Sequence, residues 1–397
     1  MPLLTIHLTS QWIATMYTAA VSMGLTFVLG RLLGPMGFGT YSYILTLASL
    51  FFILQDGGFK TLIVREKTLP TSNLAGHGEH LFALACTHTL ITTAAGICIF
   101  FVLPLPYRAG ISAAFVCFCF QALANFISSE LRADGLFPRE ALWQITLRTA
   151  SAVGILFALF FICHDPWVIF AGWGFGLLSV LLLSPIPIPL PRFKGFGCKG
   201  IWRTCIAFMA IDAATTIYYR CDILLLQHLL QDAAEVGYYA AAYRFLDAIV
   251  LLSAPVGVIC FRKLRLVWKD KRLFYSLVIK MTLIMVGAAA FVLMFGIIFG
   301  KEVVLFTFGK DYTETIRILP LLLGALFFIL PNTILTQAAI AQNREGLYAA
   351  AAGMGALFNI GLNCFLIPEF GGVGAAWATI ATEGLLMGIL LLSLMTS

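Results

Sequence analysis

Long apolar runs alternate with short polar breaks from one end of the chain to the other. Cutting the chain at its charges and its Pro and Gly clusters leaves twelve runs, at about 8–30, 40–58, 79–103, 109–129, 141–163, 167–190, 203–229, 236–260, 273–299, 313–341, 346–367 and 371–395. Each approaches or exceeds the roughly 20 residues that a helix needs to cross the hydrocarbon core of a bilayer. The pattern predicts an all-α polytopic membrane protein with twelve transmembrane helices. The first run is too long for the apolar core of a secretion signal and has no basic segment before it, so it is expected to stay in place as the first span.

Composition strengthens this picture. The chain is 60% hydrophobic and 11% charged, against roughly 45–50% and 25% for an ordinary soluble domain, and no stretch is polar enough to form a separate aqueous domain. The formal net charge of +6 is not gathered into a nucleic-acid-binding patch. Sixteen Lys and Arg fall in the even-numbered loops (Lys60, Arg65 and Lys67 in the first of them, six between 262 and 272), and five fall in the odd-numbered loops. Positive loops face the cytoplasm, so both termini are expected there. Four more, Arg148, Arg220, Arg244 and Lys280, lie inside the runs.

Several other signals carry little. The ten Cys sit mostly in apolar segments and read as small core residues. The six His show no metal spacing. Gly195-Phe-Gly-Cys-Lys-Gly200 fits a dinucleotide pattern but follows a Pro-rich stretch instead of a strand. There is no P-loop, so ATP is not expected as the direct energy source, and no cofactor is expected. Every odd-numbered loop is short, leaving little room for an extracytoplasmic active site, and no enzyme activity is expected.

The chain also repeats. Arg31-Leu-Leu-Gly-Pro-Met-Gly-Phe-Gly-Thr-Tyr41 is similar to His228-Leu-Leu-Gln-Asp-Ala-Ala-Glu-Val-Gly-Tyr-Tyr239 with one residue inserted, which aligns Gly39 with Gly237 at an offset of 198, half the chain. Each copy joins the first and second helix of a six-helix half. Six is even, so the halves enter the membrane in the same sense, as parallel repeats about an axis along the membrane normal. The expected division is an N-terminal lobe over 1–190, a cytoplasmic linker over 191–202 marked by Pro185, Pro187, Pro189 and Pro191, and a C-terminal lobe over 203–397. The substrate path is expected between the lobes.

Three segments carry a family resemblance. Leu29-Gly-Arg-Leu-Leu-Gly-Pro-Met-Gly-Phe-Gly-Thr-Tyr41 resembles the first-loop signature of the polysaccharide transporters, the flippases of bacterial O-antigen and capsule pathways. Val236-Gly-Tyr-Tyr-Ala-Ala-Ala-Tyr-Arg244 resembles their eighth-helix entry. Asn359-Ile-Gly-Leu-Asn-Cys-Phe-Leu-Ile-Pro-Glu-Phe-Gly-Gly-Val-Gly-Ala-Ala-Trp-Ala-Thr379 is similar to a third signature, in the same order and place. The polar stretch around Pro70, Thr71, Ser72 and Asn73 departs from the family pattern. The resemblance implies the multidrug/oligosaccharidyl-lipid/polysaccharide exporter superfamily: two pseudo-twofold-related six-helix lobes forming a MATE-like V that opens alternately to each side. It further implies a flippase for undecaprenyl-pyrophosphate-linked oligosaccharide in the bacterial cytoplasmic (inner) membrane. Its surroundings would be membrane lipids, with a polysaccharide polymerase and chain-length machinery as possible partners.

Apart from that resemblance, charges within the apolar runs are the most informative residues, because a charge at the bilayer centre costs at least ~2.5–3.5 kcal/mol unless it is paired or hydrated. Gln144, Arg148 and Ser151 share a helix face at i, i+4 and i+7. Asp212, Thr215, Thr216 and Tyr219 form a polar stripe with Arg220 and Asp222 at its edges. Tyr239, Tyr243 and Asp247 line up on the eighth run, with Arg244 one turn from Asp247. Lys280 and Glu383 complete the set.

With Arg148, Arg220, Arg244 and Lys280, assisted by Gln144, such a set suits a pyrophosphate. Tyr219, Tyr239 and Tyr243 suit sugar rings. Asp212, Asp222, Asp247 or Glu383 could couple transport to H+ or Na+. Against this stand plainer readings: an intrahelical Arg244–Asp247 pair, snorkelling of Arg148 and Lys280, a helix-to-helix ion pair for Asp222, and a boundary role for Asp56. Two rival functions remain open, a multidrug or toxin antiporter of the same superfamily and an integral-membrane glycan-assembly enzyme.

Overall fold

The computed structural model describes residues 2–68, 78–102, 106–184, 186, 189 and 197–395. Among them the secondary structure is helical, with no strand. The helices are α1 (Pro2–Asp56), α2 (Phe59–Thr68), α3 (Gly78–Val102), α4 (Arg108–Ala133), α5 (Phe137–Phe161), α6 (Pro166–Leu182), α7 (Lys199–Leu230), α8 (Ala233–Val267), α9 (Lys271–Thr307), α10 (Thr313–Ala341) and α11 (Glu345–Met395). Eight helical stretches are long and apolar enough to cross a membrane by length and composition, and α6 is a shorter apolar helix. The chain is an all-α polytopic membrane protein.

A straight α1 of 55 residues would be roughly 80 Å long, far more than the ~30 Å hydrocarbon core. It is broken at Gly34, where φ is 64° and ψ 178°. A left-handed φ costs glycine little, and the Pro35 that follows has no N–H to continue the hydrogen-bond ladder. The 51-residue α11 breaks in the same manner at Gly371 (φ 58°, ψ −137°), three residues after Pro368. The Gly372 N–H that follows this break donates to Glu235 Oε1 of α8 at 2.7 Å, so a carboxylate caps the new helix start.

The basic stretch read as the first even-numbered loop continues as helix α2 after two left-handed residues, Gly57 and Gly58. Lys60, Arg65 and Lys67 are therefore helical. The expected 191–202 linker lies largely outside the described residues, as do Pro185, Pro187, Pro191, Gly195, the Pro70–Asn73 stretch and His77.

The chain clusters into two compact units, one from Met1–Leu33 with Tyr43–Thr216 and one from Gly34–Ser42 with Ile217–Ser397. In the first, α4 packs on α2, α3, α5 and α6, and in the second α10 packs on α8, α9 and α11. Small residues let α5 and α6 approach closely: a Cβ on Gly154 would overlap Gly172 O, and one on Gly176 would overlap Ala150 O.

Within the second unit the two copies of the repeated segment meet each other. The fourth residue of each copy is left-handed, Gly34 at φ 64° and Gln231 at φ 54°. Asp232 then caps α8 by accepting from the Ala234 N–H at 2.9 Å and the Glu235 N–H at 3.4 Å. Farther on, the backbones cross. A Cβ on Gly39 would overlap Ala233 O and stand 2.7 Å from Gly237 N, while a Cβ on Gly237 would overlap Pro35 O and stand 3.2 Å from Gly39 N. Residues 35 and 39 become 233 and 237 on adding 198, so the contact maps onto itself under the repeat.

Gly39→Ala and Gly237→Ala are each expected to lower stability by ~1–3 kcal/mol, as overpacking against backbone does. Gly24→Ala, at a position with open space around it, is the matched control. Thermal unfolding of the solubilised protein measures all three; an unchanged midpoint in the first two would contradict the crossing.

Candidate functional site

The second unit gathers polar side chains from four helices into its apolar interior. From α7 come Tyr218, Tyr219, Arg220, Cys221 and Asp222. On α8, Tyr239, Tyr243 and Asp247 share a face at four-residue spacing, and on α11 Asn359 and Asn363, then Thr379 and Glu383, do the same.

Asp222 is 4% exposed and accepts from four donors. Tyr239 O–H at 2.7 Å and Thr379 O–H at 3.3 Å reach Oδ2; Asn363 Nδ2 at 2.9 Å and the Cys221 thiol at 3.5 Å reach Oδ1. Asn363 Nδ2 also donates to Asn359 Oδ1 at 2.8 Å, and Asn359 Nδ2 donates to Thr382 Oγ1 at 3.3 Å. The remaining amide oxygen, Asn363 Oδ1, is buried without a donor.

Glu383, equally buried, accepts from Tyr218 O–H at 2.6 Å and from Asn332 Nδ2 at 2.8 Å. Asp222, Asp247 and Glu383 line one small cleft together with Tyr218, Tyr219 and Tyr243. Its volume of about 30 Å³ has room for about two waters and is too small for a sugar ring.

Beside the cleft, two arginines share one carboxylate. Asp247 Oδ2 stands 3.3 Å from Arg220 Nη2 and 3.6 Å from Arg244 Nη1. The Arg220 guanidinium also lies over the Tyr243 ring, 5.8 Å from its centre. The intrahelical pair of Arg244 and Asp247 is therefore one side of a three-residue group. It leaves a net charge of +1 and a buried Arg244 Nε without an acceptor.

The other candidates fall elsewhere. Asp212 belongs to the first unit, where its carboxylate accepts from Lys60 Nζ at 2.7 Å. Asp56 is buried at the end of α1 and accepts from the Gly58 N–H at 3.1 Å. Gln144 donates to Ser128 and to Glu140. Glu140 is a hub that also accepts from Gln11, Ser128 and Arg132, tying α1, α4 and α5 together. Arg148 is half-buried on α5, and Lys280 is exposed on α9. Tyr219 is 41% exposed, whereas Tyr239 is fully enclosed, so Tyr239 holds Asp222 and has no open face for a ligand.

A search for formal charges does not find Tyr218, Asn332, Asn359, Asn363 or Thr379. The available signal was the four-residue spacing of amides and hydroxyls on apolar helices, where an unsatisfied polar group is costly.

Residues 28–317 match the family described as polysaccharide biosynthesis protein. The chain is 26% identical over 218 residues to the probable low-salt glycan biosynthesis flippase Agl15 of Haloferax volcanii, an alignment covering 53% of this chain and 43% of that protein. The chain thus spans less than half the length of this curated relative. Among solved structures, a lipid II flippase, MurJ, in an inward closed conformation has a TM-score of 0.77 at 15% identity, covering 96% of this chain and 86% of the other. A MOP superfamily transporter from Pyrococcus furiosus has a TM-score of 0.60 at 12% identity, covering 98% and 94%. At these identities the structural likeness establishes the fold.

Tyr239→Phe removes one of the strongest donors to the buried Asp222 and is expected to destabilise the protein by ~1–3 kcal/mol. The exposed Tyr219→Phe should change stability by less than ~0.5 kcal/mol. Denaturant or thermal unfolding in one detergent compares them, and equal effects would remove the role given to the Tyr239 hydroxyl.

Proposed function

Because the chain belongs to the polysaccharide biosynthesis protein family, we propose that it is a flippase that moves a lipid-linked oligosaccharide across a membrane by alternating access. The observation that carries the reading is the Arg220–Asp247–Arg244 group. Its surplus positive charge and the unmet donor on Arg244 suit the diphosphate of an undecaprenyl-pyrophosphate carrier, whose oxygens accept paired guanidinium donors. Asp247 holds the two guanidiniums until phosphate oxygens replace it. Arg148 and Gln144 are secondary candidates for the same chemistry, whereas Lys280 stands apart on the exposed face of α9, and Tyr219, with an open ring, is the best placed of the tyrosines to meet a sugar.

Asp222 is the favoured coupling residue. Thr379 presents a hydroxyl oxygen to it, Asn363 Nδ2 bridges it to Asn359 Oδ1, and Asn363 Oδ1 has no donor. With the Asn363 amide turned to face its oxygen inward, Asp222, Asn359, Asn363 and Thr379 would offer Na+ an oxygen set, and a proton on Asp222 is the alternative. Glu383 is a second carboxylate of the same cleft, while Asp212 is committed to Lys60.

Dividing α1 at Gly34 and α11 at Gly371, and counting α6 and α7, brings the crossings to twelve. The bias of basic loops supports cytoplasmic termini, and the family resemblance supports a bacterial inner membrane. A polymerase and chain-length machinery would then receive the glycan on the far side.

A second reading, export of an organic cation, draws on the three carboxylates that line the cleft. Complementation separates the two. In a flippase-deficient strain the wild type should restore surface glycan, and Arg220→Gln or Arg244→Gln should each reduce it by ~10-fold or more, the factor that a lost charge-assisted hydrogen bond implies. Asp222→Asn should reduce it similarly by removing the coupling group. Normal export in all three variants, or resistance to organic cations without glycan export, would defeat the flippase reading.

A further inference from the structure

Of the membrane-length apolar helices of the second unit, α9 is the least buried, and it carries a cation that the cleft does not use. The most apolar window of α9 has a mean hydropathy of 2.5 and only 22% of its residues are buried, so most of the helix surface is free to meet hydrocarbon. On that surface lies Lys280. It is exposed, and among the described residues it has no ion pair or hydrogen bond. Its flanking side chains Ile279, Leu283 and Ile284 are 59%, 63% and 52% exposed. Nine residues separate Lys280 from Lys271 at the start of α9, a rise of roughly 14 Å. An unpaired ammonium at such depth is costly, and no described residue supplies an anion for it.

The surroundings point to what does. Arg272, Ser276 and Lys280 follow at four-residue spacing and form one exposed stripe on α9. Ser276, Ile279, Lys280, Leu283 and Ile284 line a shallow cleft, polar at the end nearer Arg272 and apolar beyond Lys280. Around the α8–α9 connection lie six basic residues between 262 and 272, against one acid, Asp270. Asp270 accepts from the Leu273 N–H and so caps α9. Trp268, the side chain type favoured at bilayer interfaces, sits there with Arg265 and Lys269 over its ring at 5.3 and 5.9 Å.

We propose that this face of α9 is a binding site for an anionic phospholipid. The phosphate is held by Lys280 and Ser276, the headgroup lies under the basic rim from Arg272 outward, and one acyl chain runs along Leu283 and Ile284. The pattern of cations above apolar side chains matches a ligand with an anionic head and an apolar tail. It differs from a neutral surface that any phospholipid would coat equally, because the rim adds net positive charge near the headgroup plane. The inference rests on the placement of α9 in lipid and is independent of the flippase reading.

Native mass spectrometry of the full-length protein, equilibrated with equimolar phosphatidylglycerol and phosphatidylcholine, tests it. The wild type should retain phosphatidylglycerol preferentially. Lys280→Gln should lower that preference roughly fivefold, the factor one lysine near an anionic surface is worth, and Arg272→Gln combined with it should abolish the preference. Lys301→Gln, near the other end of the same helix, should leave it intact. Equal retention of both lipids by the wild type, or an undiminished preference in the double variant, would overturn the assignment. Displacement of phosphatidylglycerol by stoichiometric undecaprenyl diphosphate would overturn it too, because the occupant would then be the carrier lipid.

Discussion

Two backbones meet at Gly39 and Gly237 with no side chain between them. Lipid provides no hydrophobic drive for helices to associate, so such contacts depend on close packing, and small residues permit it. Here the requirement falls on both copies of the repeat, because Gly39 lies against Ala233 and Gly237 against Pro35, each just past the other copy's turn. The placement of Asp222 and its partners depends on this crossing, since Tyr239 is two residues beyond Gly237 and its hydroxyl holds Asp222. The Glu235 carboxylate, two residues before Gly237, fixes the start of the second part of α11, from which Thr379 and Glu383 project. A short segment of α8 thus sets the crossing, the break in α11 and the acidic cleft together.

The two copies reach a positive φ at the same position by different chemistry. One uses Gly34 and Pro35, with an inexpensive positive φ followed by a missing donor. The other strains Gln231 into the left-handed region and adds Asp232, whose side chain satisfies the amides of the next helix. The inserted residue is therefore the cap, and it explains why the offset between the copies changes from 197 to 198 along the segment.

Much of the architecture is legible in hydropathy because backbone hydrogen bonds in lipid must close within the helix. The tenth run, 313–341, has the same limits as α10, and the breaks at Gly34 and Gly371 fall in the glycine-rich segments used to divide the chain. Helix α2 is not legible this way. Hydropathy windows find apolar runs, and its Lys60, Arg65, Glu66 and Lys67 hide a helix that buries Phe59, Leu62 and Ile63 on one side. The site was legible in part. The Arg244–Asp247 turn and the Tyr239–Tyr243–Asp247 face follow from helical spacing, whereas Asp222's neutral partners carry no charge to mark them. Asp212 and Gln144 looked like members of one polar set because spacing along a helix does not reveal which neighbouring helix a side chain meets. Lys60 and Glu140 are what they meet.

Asp247 has an electrical consequence as well as a chemical one. A charge displaced through the full membrane potential exchanges ~2.3 kcal/mol per 100 mV with it. With Asp247 between them, Arg220 and Arg244 expose one elementary charge to that field in place of two. On the proposed cycle, an unloaded carrier returning across the membrane would do about half the electrical work that two bare guanidiniums would require. The carboxylate that must give way to a diphosphate is then also the group that lets the empty protein reset under voltage.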